Sequence, residues 1–84
     1  MWEIKKHTVS GSQGAHIYRT APSKDQAILC VLTELPWQKD TNGWPFVLQD
    51  GEPCYEDQAT CDLEEGHFAY SRGESTITYR LTKL

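Results

Sequence analysis

Ser23 to Pro36 is the stretch of this chain that admits the fewest folds. Ala27, Ile28, Val31, Leu32 and Leu35 recur at helical spacing and make one apolar stripe. Ser23 stands where an N-cap belongs, and Gln26 follows three residues later, the spacing of a capping box. Pro36 cannot continue the helix and ends it. Cys30 lies inside the run Ala27–Leu32 and reads as a small hydrophobe, as free cysteine usually does. A helix with one apolar stripe needs a second layer to cover that stripe, and the rest of the chain must supply it.

What flanks the helix has a period of two. Trp2, Ile4, Lys6 and Thr8 alternate with Glu3, Lys5, His7 and Val9, and after Gly11-Ser12-Gln13-Gly14 a second strand is expected over 15–20. At the other end, 67–71 and 75–84 form a hairpin turning at Arg72-Gly73-Glu74, with Ile77, Tyr79 and Leu81 on one face. Between these lies a central strand over 44–49, after a loop at 39–43. Asp50-Gly51 follows it as a turn of the I′ kind. Pro53 restricts what comes next to a sheet edge or irregular structure. Residues 55–65 read as a short helix aligning Tyr55, Ala59 and Leu63 with Gly66 as its left-handed stop; the competing reading is a strand over 58–63. The expected fold is α+β: an antiparallel sheet of four to five strands on one main helix, with a second short helix as the favoured reading of the ambiguous segment. At 84 residues it is a single domain, spanning 1–84.

The distribution of charge is the second constraint. The net charge is −4, yet the 32 residues between Lys39 and Arg72 hold no lysine or arginine. That gap holds Asp40, Asp50, Glu52, Glu56, Asp57, Asp62, Glu64 and Glu65, so the ends of the chain are net basic and its middle strongly acidic. A net-acidic domain is a poor ligand for nucleic acid, whose attraction sums over Lys and Arg contacts to phosphate. The longest apolar run has six residues, and the N-terminal sequence lacks an apolar targeting segment, so the expectation is a cytoplasmic protein with no membrane partner.

Four readings of Gly51–Phe68 follow. As a zinc module it would use Cys54, Cys61 and His67, but their C-x6-C-x5-H spacing lacks the close cysteine pair of structural zinc sites. A Cys54–Cys61 disulfide is forbidden on a continuous helix, where seven residues span roughly 10 Å, and becomes possible if the segment is a hairpin or loop. Catalysis would need a Cys–His pair in hydrogen-bond reach and a recognisable loop motif, and the sequence holds no such motif; no catalytic residue and no cofactor is expected. The fourth reading is a charged surface. Carboxylates about 6 Å apart on a helix, or about 6.7 Å apart on a strand face, are spaced comparably to nucleic-acid phosphates.

The favoured expectation is therefore a small acidic binding protein without enzymatic activity. It would inhibit or regulate a basic protein surface, such as the nucleic-acid site of a larger complex. Asp50, Glu52, Glu56, Asp57, Asp62, Glu64 and Glu65 would steer the encounter, and Trp44 and Tyr55 would anchor it. In size and charge alone the design is similar to phage-encoded inhibitors of bacterial defence (anti-CRISPR-like) or transcription machinery. A monomer or homodimer is expected. The alternatives are the zinc module and a homo-oligomer in which Lys5, Lys6, Arg80 and Lys83 meet the acidic middle of a neighbour.

Overall fold

The alternation at the N-terminus folds as β1 (Trp2–Ser10) and β2 (Gln13–Ala21), paired antiparallel along their whole length in a computed structural model that describes all 84 residues. Gly11 has φ 62 at the first position of the connecting turn, a conformation that side chains rarely adopt. Ser23 Oγ then accepts the Gln26 N–H, and helix α1 runs from Lys24 to Glu34. β3 (Gln38–Lys39), β4 (Pro45–Gln49) and β5 (Glu52–Tyr55) follow. Asp50 and Gly51 both have positive φ, 54 and 81, the requirement of a I′ turn. Helix α2 (Glu56–Glu64) ends at Gly66, whose φ is 95, and the chain closes with β6 (His67–Arg72) and β7 (Ser75–Lys83).

The strands make one antiparallel sheet of seven in the order β2-β1-β7-β6-β4-β3, with β5 added on β4. Both helices cover the same face, α1 over β1, β2 and β7, and α2 over β5, β6 and β7. The core lies between the layers. Ile4, Phe68, Tyr70, Ile77, Tyr79 and Leu81 rise from the sheet to meet Ala27, Ile28 and Val31 of the first helix, Leu35 just past its end, and Ala59 and Leu63 of the second. Trp2, Leu32 and Trp37 pack against its margin, and the Trp37 indole N–H donates to the Leu32 carbonyl. The opposite sheet face is left to solvent, which is why the molecule is only 17 Å thin along its shortest axis.

One polar link crosses the layers. The Tyr79 ring is fully buried, but its hydroxyl donates to Glu34 Oε1 at the end of α1, and Glu34 Oε2 pairs with Arg19 of β2. Desolvation, together with the Glu34 carboxylate, pushes the Tyr79 hydroxyl well above its ordinary range.

Two expectations are revised, and one open choice is settled in favour of the helix. The strand count is seven rather than four to five, because β3 is two residues long, too short to show a period, and β5 forms despite Pro53. That strand lies at a sheet edge, where a missing N–H is tolerated. The ambiguous segment is a helix, and the stop expected at Gly66 is present. Cys30 is exposed instead of buried: the stripe that α1 buries is Ala27, Ile28 and Val31, and both Leu29 and Cys30 turn outward from it.

Candidate docking groove and acidic helix

Asp40 organises the region. One carboxylate oxygen accepts the backbone N–H groups of Asn42 and Trp44, both at 2.9 Å, closing an Asx-type turn over Asp40–Trp44. The other accepts the Tyr55 hydroxyl, also at 2.9 Å. A single side chain thus fixes the loop that carries Trp44 and the ring that begins α2. These bonds, the Trp44 N–H foremost, hold the Asp40 carboxyl below its usual value, while the Tyr55 hydroxyl is pushed up by its own hydrogen bond to Asp40. Phe46 lies beside Tyr55 with ring centroids 6.2 Å apart.

Trp44 is 63% exposed and Tyr55 36% exposed, large apolar areas for a side chain to leave in water. With Pro45, Thr60 and Cys61 they line an open groove of about 590 Å³ at the edge of the sheet, and Glu56 and Asp57 stand on its rim. Of the residues expected to form a binding surface, Trp44, Tyr55, Glu56 and Asp57 therefore come together. Asp62, Glu64 and Glu65 continue along α2, where Asp62 accepts a hydrogen bond from Gln58 at 3.0 Å. Asp50 and Glu52 do not join the groove. They sit at the tip of the β4–β5 hairpin, a strand length of roughly 10 Å away from it.

None of the eight acidic groups from Asp40 to Glu65 pairs with a lysine or arginine; the ion pair in the molecule is Arg19–Glu34. Lys24 approaches the end of α2, but its ammonium donates to the Glu64 backbone carbonyl rather than to a carboxylate, and lies 5.4 Å over the Trp2 ring. The α2 surface is thus left with unpaired negative charge.

Cys54, Cys61 and His67 are not gathered. Cys54 is buried beneath α2, Cys61 faces the groove, and His67 points from the uncovered sheet face; all three cysteines are free thiols. No group of three or more His, Cys, Asp or Glu side chains converges in the structure. Burial, helped by Asp62 and Asp57, raises the Cys54 thiol above its ordinary value, so it is a poor thiolate. Sequence reasoning missed Asp40 as the organiser, although Asp-Thr-Asn-Gly is a turn signature whose first residue caps backbone N–H groups.

No protein family, curated protein or solved structure matches this chain. The fold and the groove define it as a two-layer α+β domain with an acidic helix beside an exposed aromatic pair. No helix is long and apolar enough to cross a membrane.

Proposed function

We propose that this domain acts without catalysis, by stoichiometric binding of its α2 surface to a cationic protein surface. The observation that carries the proposal is the pairing of unneutralised carboxylates with an apolar anchor site: Glu56 and Asp57 rim a groove whose walls are Trp44 and Tyr55. Unpaired like charge disfavours the compact state, and a basic partner relieves it. Exposed aromatics supply the desolvated contacts that dominate binding energy, while the surrounding charge sets the rate and specificity of encounter. The partner class that matches a row of helix carboxylates is a nucleic-acid-binding surface of a larger complex, such as bacterial defence or transcription machinery, with the domain occupying the place of phosphates.

The test is capture from a low-salt lysate on the immobilised domain, with three variants in parallel. Retention is expected to fall steeply as salt rises from about 50 to about 500 mM, because the screening length drops from roughly 14 to 4 Å. The double reversal Glu56→Lys/Asp57→Lys and the truncation Trp44→Ala should each abolish retention of the same partner while the variants stay folded. Asp50→Lys, at the hairpin tip, should retain it. Capture that survives both salt and the double reversal would refute the electrostatic reading.

A further inference from the structure

The two sides of the sheet are finished differently. Beyond β4 the chain offers only β3, two residues long, and β5, four residues that include Pro53. Short strands and proline are the usual means of preventing a sheet from adding another strand. β2 has neither. It is nine residues long, holds an unbroken register against β1 with no bulge, and contains no proline and no lysine. Every residue in it but Ala21 is exposed, including Ile17 at 52% and Tyr18 at 57%. Its one strong charge, Arg19, is held by Glu34.

We propose that β2 pairs antiparallel with β2 of a second copy, about a two-fold axis at Ile17, joining the sheets of a homodimer. The register follows from the hairpin. Ser10 and Gln13 close a two-residue turn, so alternate residues from Gln13 to Ala21 exchange hydrogen bonds with β1. Gly14, His16, Tyr18 and Thr20 are left with their N–H and C=O groups directed outward. An axis at Ile17 sets Gly14 against Thr20 and His16 against Tyr18 of the second copy, giving about eight new backbone hydrogen bonds. On the helix face Ile17 meets Ile17 of the second copy, and Ala15 meets Arg19. No like charges oppose each other. A shift of two residues forfeits a reciprocal pair and sets either His16 against its own copy or Ile17 against Arg19.

The surface above the strand suits a second copy as well. Leu29 is 63% exposed and, with Cys30, Ala21 and Pro22, lines a groove of about 540 Å³ between α1 and β2. A strip about 30 Å long (nine residues at about 3.4 Å) and 17 Å deep covers roughly 500 Å² on each copy. The total, about 1,000 Å², is at the lower bound for a specific interface, so a micromolar dimer is expected.

Sedimentation equilibrium from about 1 to about 500 µM tests this. A monomer–dimer equilibrium should appear in the micromolar range and change little with salt. Tyr18→Pro removes an outward N–H without touching the β1 ladder, and Ile17→Lys places charge on the axis; each should weaken the dimer at least tenfold with the circular dichroism spectrum unchanged. In a Cys30→Ser/Cys61→Ser background, Ile17→Cys should form an intermolecular disulfide under mild oxidation, since cross-strand Cα atoms of a non-hydrogen-bonded pair lie about 4.5 Å apart. Ala15→Cys should not. A monomer at the highest concentration, a dimer that salt dissolves, a dimer intact in both Tyr18→Pro and Ile17→Lys, or equal cross-linking at the two cysteine positions would each overturn the proposal.

Discussion

Tyr79→Phe removes one oxygen from the most buried polar link in the molecule and isolates what that link contributes. The ring is fully buried and stays in place, so no methylene-sized cavity opens and the packing part of the cost is small. The lost interaction is a hydrogen bond to an ionised carboxylate, a class that contributes about 1.5–3 kcal/mol. The Glu34 side chain is 27% exposed, and water can therefore reach the freed Oε1; this places the cost near 1.5 kcal/mol, at the low end of about 1.5–3. For a domain of this size each kcal/mol moves Tm by about 4–8 °C, so Tm should fall by roughly 6–12 °C. Glu34→Ala should cost more, because it strands the buried hydroxyl and frees Arg19 together. Urea titrations of both single variants and the double variant complete a cycle, and a coupling of about 1 kcal/mol or more is expected between residues in direct contact. The pH dependence gives an independent check. The folded Tyr79 hydroxyl is held above its unfolded value of 10.0, so its contribution is intact below pH 10.0 and is lost as pH rises past it. Wild-type stability should decline more steeply in alkali than that of Tyr79→Phe. A Tm loss under 2–3 °C, zero coupling, and identical alkaline limbs would show that the link is geometric only.

Gly66→Ala forces a side chain into a φ of 95, with its Cβ 3.4 Å from the Leu81 carbonyl oxygen, and should destabilise by about 1–2 kcal/mol in urea titration. Asp40→Asn should weaken the hold on the Trp44 loop, read as faster exchange of the Asn42 and Trp44 amides. Because the folded Asp40 carboxyl sits below its ordinary 3.8, its contribution is present above that pH and vanishes as pH falls through the folded value; acid titration of the same amides should reproduce the variant. Glu65→Lys should stabilise the isolated domain by about 0.3–1 kcal/mol, seen as a higher Tm, while weakening capture of the cationic partner.

How much of this was legible in the sequence depends on the length scale of each feature. The α1 stripe and the β1, β6 and β7 alternations each span enough residues for a period to show, and their faces are as read: Ile77, Tyr79 and Leu81 inward, His67 outward. Ser23, Asp50-Gly51 and Gly66 act through local backbone chemistry and were equally readable. What escaped was set by tertiary neighbours. β3 exists because Phe46 and Pro45 offer it an edge, not because Gln38-Lys39 prefers extension. Cys30 is exposed because α1 buries a stripe narrower than its apolar run. The role of Asp40 in the groove escaped for the same reason, since Asp40 and Tyr55 are fifteen positions apart and the β4–β5 hairpin brings them together.

The two ends of α2 carry unequal weight in the functional argument. Glu56 and Asp57 occupy the first turn, where the N-terminal partial positive charge of any helix favours acids. Helix electrostatics favours acids at these two positions, yet no lysine or arginine neutralises them. Glu64 and Glu65 occupy the opposite end, where the same dipole penalises them and where no basic residue stands in the last turn. The ammonium that answers that end, Lys24, belongs to α1 and is spent on a carbonyl. The helix dipole therefore favours the acids on the groove rim and opposes those at the C-terminal end. The helix thus keeps carboxylates against its own dipole at one end and, at the other, borders a groove that keeps an indole in water. The proposed cationic partner would answer both by spanning the roughly 12 Å from Glu56 to Glu64, whereas solubility answers only the first.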